Sequence, residues 1–101
     1  MKIKEQLYYL IKEYRKGNYT TNIFCDQFTE IYCNERNEAN LSMLENKEFE
    51  RLNEVTSRYS MYEEDLKMYP GVYFTEEDVQ NKVEEFFDTL KSEVKEERED
   101  I

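Results

Sequence analysis

The stretch YPGVYFTEEDVQNKVEEFFDTL, residues 69–90, contains the clearest helix boundary in the chain. Pro70 and Gly71 stop any preceding helix, because proline disfavours helical geometry in the residue before it and glycine tolerates the turn. Thr75 is spaced to cap a new helix, with Asp78 as its reciprocal partner. Apolar residues then recur every three or four positions, at Val79, Val83, Phe86, Phe87, Leu90 and Val94. The stretch therefore predicts a last helix that begins after Thr75 and buries one face.

Similar spacing predicts two helices in the first third of the chain. Residues 3–15 carry one apolar stripe, which ends at Gly17-Asn18. Thr20 or Thr21 can cap the next helix, which we expect to run to about residue 35.

A third helix is expected from Leu41 toward Leu66, with a break near Ser60 or fraying toward Tyr69 as alternatives. No segment alternates with a period of two, so a sheet is not expected. The sequence thus predicts an all-α fold, a single-domain antiparallel four-helix bundle over residues 1–101. An acidic disordered tail is expected at about 95–101.

Charge is unevenly distributed along the 101 residues. The formal net charge is −10, from 24 acidic and 14 basic side chains, and most of the excess lies in the second half. Such a field repels phosphate backbones and anionic lipid and attracts basic proteins, so we expect neither direct nucleic-acid binding nor membrane association. The sequence contains no apolar run long enough for a membrane span and no signal peptide, so we expect a cytoplasmic protein. We expect Cys25 and Cys33 to be reduced thiols.

The sequence offers little for catalysis. It has no histidine, which removes the commonest general base and metal ligand, and two glycines cannot build a phosphate-binding loop. Acid pairs such as Glu84-Glu85 read as a solvated helix face, and Cys25 as a packing residue. We therefore expect a protein that is not an enzyme and uses no metal or cofactor.

Two acidic triplets flank the Pro70-Gly71 turn, Glu63-Glu64-Asp65 and Glu76-Glu77-Asp78. The second triplet has a local explanation, because the helix dipole stabilises acid in a first helical turn. The first triplet is expected near the end of the third helix or in the loop after it, where the dipole opposes negative charge. If the helices are antiparallel, both triplets meet at one end, where a basic partner would relieve their repulsion.

Three tyrosines accompany the triplets: Tyr62, Tyr69 and Tyr73. Tyrosine supplies a large contact area at low entropy cost, so each of the three has two alternative roles, in a binding interface or in the scaffold. The predicted partner-binding set comprises these tyrosines and the six acids Glu63, Glu64, Asp65, Glu76, Glu77 and Asp78.

Three segments give the chain a resemblance to a known family. They are LIKEYRKGNYT (residues 10–20), DQFTEIYCNER (26–36), and an Arg-aromatic, acidic and Tyr-containing pattern at Arg58-Tyr59, 63–65 and 73–79. In their order, and in length and acidity, the chain resembles the self-protective colicin-like immunity proteins. The loop LKMYPGVYF (66–74) is longer and more apolar than that pattern.

The resemblance implies a cytoplasmic helical bundle that binds a cognate bacterial toxin domain, typically a ribonuclease that cuts tRNA, and blocks its active site. The acidic face would then stand in for substrate phosphates in the basic cleft of the toxin. Two alternatives stay open. One is an acidic nucleic-acid mimic that inhibits a host nuclease or restriction enzyme, and the other is an oligomeric regulatory bundle. Monomer and dimer are both compatible with the sequence.

Overall fold

A computed structural model describes residues 2–99, with the side chains of residues 2–91. The described residues are helical and contain no strand, so the predicted all-α class is confirmed. Five α-helices replace the predicted four: α1 (Ile3–Arg15), α2 (Thr21–Glu35), α3 (Met43–Thr56), α4 (Glu63–Met68) and α5 (Glu76–Glu99). A short 3-10 helix (Arg36–Glu38) follows α2. The predicted tail, about 95–101, lies outside the described side chains.

The turn between α1 and α2 has the bonding that its sequence predicts. Gly17, with φ of 88°, donates its amide to the carbonyl of Tyr14 at 2.9 Å, and Asn18 donates to Glu13 at 2.9 Å. Together these bonds form a Schellman motif, which satisfies the last carbonyls of α1. Thr20 then caps α2 through its hydroxyl, which accepts from the Ile23 amide at 3.3 Å. The start of α2 is therefore held beside the end of α1.

The predicted third helix is two helices. α3 ends at Thr56, and its last turns carry hydroxyls that bond back to the chain: Thr56 to the Asn53 carbonyl at 3.3 Å and Ser57 to the Glu54 carbonyl at 3.4 Å. Hydroxyl side chains of this kind compete with continued helix. Of the two predicted alternatives, the break near Ser60 is therefore the one found, and α4 begins as a separate helix at Glu63.

An aromatic cluster holds α2, α3 and α5 together. Phe28, Phe49 and Phe86 are fully buried, with ring centroids 6.0 Å apart for Phe28 and Phe49 and 4.9 Å apart for Phe49 and Phe86. Leu7 and Ile11 complete the core from α1. Each such side chain contributes about 1.5–3 kcal/mol through burial, so this core fixes the relative positions of the four long helices.

Glu45 ties α1 to the start of α3. It is 7% exposed and forms a capping box with Ser42, while its carboxylate also accepts from the Tyr8 hydroxyl and pairs with Lys4 at 3.0 Å. Burial raises the pKa of this carboxyl, but the bonds from Ser42, Tyr8 and Lys4 outweigh burial and hold it below its ordinary value.

Candidate functional site

The segment between α3 and α5 leaves the helical core and returns to it, and we name residues 59–74 the lobe. Its ends are joined by an isolated parallel bridge. The Ser60 amide donates to the Phe74 carbonyl at 3.1 Å, and the Phe74 amide donates to the Arg58 carbonyl at 2.8 Å. Helix α4 and the Pro70-Gly71 turn lie inside the closed loop. Main-chain bonds at its base therefore fix where the lobe presents its side chains.

Ser60 ties the residues before α4 to its first turn. It is 8% exposed, and its hydroxyl accepts from the Tyr62 amide at 3.1 Å and donates to Asp65 Oδ2 at 2.7 Å. Sequence reasoning gave Ser60 no functional role. A capping motif could not have shown it, because the N-cap of α4 is Tyr62 and not Ser60.

The position predicted for the first acidic triplet is wrong. Residues Glu63, Glu64 and Asp65 occupy the first turn of α4 rather than the end of a preceding helix. The hydroxyl-rich residues after Val55 end α3, so a new helix dipole begins at the triplet and favours its charge. A partner is no longer the only physical reason for acid at these positions.

The second triplet lies in the first turn of α5, as predicted. The Thr75 amide donates to Asp78 Oδ2 at 2.9 Å, and the Asp78 amide donates to the Thr75 hydroxyl at 3.2 Å. This pair is the predicted capping box, so Asp78 serves the helix start.

Glu76 joins α5 to α1 and α2. The Thr21 hydroxyl donates to Glu76 Oε1 at 2.8 Å and lies 2.8 Å from the Tyr14 hydroxyl. Because Thr21 has one hydroxyl proton and the carboxylate can only accept, Tyr14 must donate to Thr21. Burial raises the pKa of Tyr14 above its ordinary value despite its bond with Thr21, so the Tyr14 hydroxyl keeps its proton through neutral pH.

Three helix N-termini meet at this end of the molecule. The Thr21 to Glu76 bond joins the starts of α2 and α5, while Asn22 of α2 lines one surface pocket with Tyr62, the residue before α4. Each N-terminus carries roughly half a positive charge. Six carboxylates and Lys67 accompany them in residues 59–78. Residues 59–78 therefore carry a formal charge of −5, which the three dipoles offset only in part, so this end stays negative.

The six acids differ in the hydrogen bonds and ion pairs that their carboxylates make. Asp65, Glu76 and Asp78 accept the hydrogen bonds described above, and Glu63 pairs weakly with Lys67 at 3.8 Å, both being well exposed. Glu64 and Glu77 make no hydrogen bond or ion pair with the side chains that the structure describes. Glu63, Glu64 and Glu77 are therefore the acids most available to a partner.

The lobe exposes apolar surface. Tyr62 is 65% exposed, Tyr69 51% and Tyr73 36%, and the sequence had not singled out their exposed neighbours Met61, Met68 and Val72. These six are two thirds of the nine large hydrophobic residues exposed among those described. A patch of this kind rimmed by charge is typical of a protein-binding surface.

The three predicted tyrosines lie together. Tyr69 meets Tyr73 edge to face, with ring centroids 6.1 Å apart, and Tyr73 and Tyr62 line the same pocket of about 260 Å³. Half-buried Tyr59 also lines it, and burial and the nearby Glu76 carboxylate raise the pKa of Tyr59. The lobe thus offers one continuous aromatic surface beside the acids.

Three other features of the described residues, a groove, the two cysteines and the acidic side chains, were considered as candidate sites. A groove of about 880 Å³ lies between α1 and the segment near Asn40, and its lysines are mixed with Glu5 and Glu38. Buried Cys25 packs in the core, where burial and then Asp26 raise its thiol pKa to about 12, and Cys33 is exposed. Among the described side chains no group of three or more acids or cysteines is placed to hold a metal ion.

In the described part of the chain, no helix combines the length and the apolarity that a membrane span needs. Comparison of the chain with protein-family models, with curated proteins and with solved structures gives no match in any of the three. The functional conclusion therefore depends on the lobe and on the resemblance noted from the sequence.

Proposed function

We propose that this protein is an immunity protein that binds and neutralises a cognate bacterial nuclease toxin, specifically a tRNA-cleaving ribonuclease, by covering its active site. The observation that carries the proposal is the lobe, whose exposed tyrosines and methionines adjoin a surplus of carboxylates. The family resemblance supplies the class of partner, and the lobe supplies the chemistry of contact.

Inhibition by occlusion follows from that chemistry. A nuclease cleft that binds phosphates is lined by cationic side chains, and Glu63, Glu64 and Glu77 would pair with them in place of the substrate. Charge steers the encounter, and buried aromatic anchors from Tyr62 and Tyr69 slow dissociation. The protein needs no catalytic group or cofactor for this role and acts in the cytoplasm, where tRNA is found.

An antiparallel four-helix arrangement of α1, α2, α3 and α5 is part of the proposal. Its support is the short connection between α1 and α2 and the bridge that brings the end of α3 to the start of α5. The lobe would then be an insertion between the third and fourth helices of the bundle.

The first test is co-expression in bacteria with the toxin domain encoded beside this gene. We expect rescue of growth and co-purification of a stable complex. The double variant Tyr62→Ala, Tyr69→Ala should lose the rescue, whereas Tyr9→Ala, a change at an exposed tyrosine of α1, should keep it. Failure of the folded wild-type protein to rescue would overturn the immunity function for that pair.

The exposed lobe also fits the oligomeric alternative, in which copies of the chain cover each other's apolar surface. Sedimentation of the protein alone separates the two functions. A stable dimer that the Tyr62→Ala, Tyr69→Ala variant abolishes would favour self-association. The nucleic-acid mimic has less support, because the carboxylates cluster at helix starts instead of following an extended face.

A further inference from the structure

We infer that the pocket at the base of the lobe is a guanidinium site that receives one arginine side chain of the partner protein. The inference deepens the proposed function and rests on it for the identity of the partner. The pocket is lined by Asn22, Tyr59, Ser60, Met61, Tyr62, Asp65 and Tyr73.

Three tyrosines are among the residues that line the pocket. They are Tyr59, Tyr62 and Tyr73, and Tyr73 also meets Tyr69 edge to face. Faces of tyrosine rings attract cations, and arginine adds planar stacking to that attraction. No lysine or arginine is among the described residues that line the pocket, so the chain itself supplies no cation to it.

A carboxylate is fixed among these rings. Asp65 Oδ2 accepts from buried Ser60 at 2.7 Å, and no other hydrogen bond or ion pair reaches the Asp65 side chain from the described residues. Oδ1 can therefore accept from a guanidinium, and the Asn22 amide oxygen offers a second acceptor. The anchoring bond to Ser60 keeps the carboxylate in place without neutralising it.

Size and local charge both favour a single cationic side chain. At about 260 Å³ the pocket is smaller than the roughly 300–1,000 Å³ of sites that hold whole small molecules. The positive ends of α2 and α4 lie nearby and would by themselves repel a cation. The formal charge of −5 in residues 59–78 outweighs them.

The test is a titration of the isotopically labelled protein with N-acetyl-arginine amide, followed by the backbone NMR signals of Asn22, Ser60 and Tyr62. We expect saturable shifts with a dissociation constant that is roughly millimolar, as a ligand of this size allows. N-acetyl-citrulline amide, which has the same shape without the charge, should give no saturable shift. Equal binding of both probes, or no saturation by arginine, would overturn the guanidinium site.

Variants locate the binding. Tyr62→Leu should weaken arginine binding about threefold while Tyr62→Phe keeps it, because the ring face and not the hydroxyl meets the cation. Asp65→Asn, which can still accept from Ser60, should weaken binding about tenfold or more. Tyr9→Leu is the remote control. A Tyr62→Phe loss as large as that of Tyr62→Leu would contradict the cation–ring contact.

The two proposals fail separately. If the arginine probe binds as expected and the toxin domain does not bind, the guanidinium site is supported and the immunity function is overturned. If the toxin domain binds, and neither Tyr62→Leu nor Asp65→Asn weakens its complex, the pocket falls and the immunity function stands.

Discussion

At the scale of single residues, the two cysteines differ clearly in burial and therefore in reactivity toward alkylating reagents. Cys25 is buried, with a thiol pKa raised to about 12 by burial and then Asp26, while Cys33 is exposed beside Asn53. Only the thiolate reacts readily with alkylating reagents. Burial and protonation therefore both protect Cys25.

We expect iodoacetamide at neutral pH to label Cys33 alone in the folded protein. Both cysteines should be labelled after denaturation, as peptide mass spectrometry would show. The variant Cys33→Ser should take up no label while folded. Labelling of Cys25 at a rate similar to Cys33 would contradict the buried core position.

Glu45 should make stability depend on acid pH. Its pKa in the folded protein is below the ordinary value of 4.5, so its stabilising effect is complete above that value. The effect is lost as pH falls through the folded pKa. Glu45→Gln should lower the stability at neutral pH by about 1.5 kcal/mol or more, through loss of charge-assisted hydrogen bonds.

Thermal unfolding of wild type and Glu45→Gln from pH 7 to pH 3 measures this effect. The two melting temperatures should approach each other as the pH falls below 4.5 and through the folded pKa of Glu45, because a protonated carboxyl resembles the amide. Glu50→Gln, an exposed substitution on the same helix, should change the melting temperature little at any pH. A constant gap between wild type and Glu45→Gln would show that its charge does not matter.

At the scale of the elements, Ser60 and the main-chain bridge determine where the lobe stands. Ser60→Ala removes one bond to the Tyr62 amide and one to Asp65. The core helices do not depend on these bonds, so we expect a modest loss of about 1–2 kcal/mol in overall stability. Because α4 can open while the core stays folded, its amides should open at a lower free energy than the core amides in both proteins.

Hydrogen exchange measures that local opening. Amides of the first turn of α4 and of Phe74 should exchange faster than those of Phe49 and Phe86 already in the wild-type protein, and about tenfold faster again in Ser60→Ala. Ser57→Ala, which loses only a surface bond to the Glu54 carbonyl, is the control. Equal protection of the lobe amides and the core amides in the wild-type protein would mean that the lobe is not a separate unit.

The sequence predicts the elements well where capping and apolar period agree. The α1 helix, the start of α2 and the Thr75 to Asp78 capping box are all found as predicted. The apolar spacing that runs on through Tyr59 and Tyr62 predicts a longer third helix than the structure has. That spacing could not show that the Ser60 amide would donate to the carbonyl of Phe74, 14 positions later, and so end the helix.

The site was predictable in composition but not in arrangement. The tyrosines and acids were visible in the sequence, and the structure exposes Tyr62, Tyr69 and Tyr73 on one lobe. Which acids serve the fold depends on partners distant in sequence, such as Thr21 for Glu76 across 55 positions. No local pattern contains that information.

At the scale of the whole molecule, charge is concentrated where three helices begin. Helix dipoles offset part of this acid, and the remaining negative charge repels itself in the free protein. In the proposed complex a basic partner would remove that repulsion and associate rapidly. The exposed lobe beside the acids would give the same partner an apolar anchor.

The central claim is that this acidic end docks a basic nuclease, and its most direct test is the association rate with the neighbouring toxin domain. We would compare the triple variant Glu63→Gln, Glu64→Gln, Glu77→Gln with the control Glu30→Gln, Glu35→Gln, Glu50→Gln by stopped flow. The control removes three exposed charges elsewhere. Both variants should melt within about 2 °C of wild type, because none of the six carboxylates makes a buried bond.

The account predicts that the first variant associates about tenfold or more slowly at low ionic strength and that the difference disappears in high salt. The control should associate within about twofold of wild type, because its charges lie away from the docking surface. Equal association rates for the two triple variants at low salt would contradict the claim.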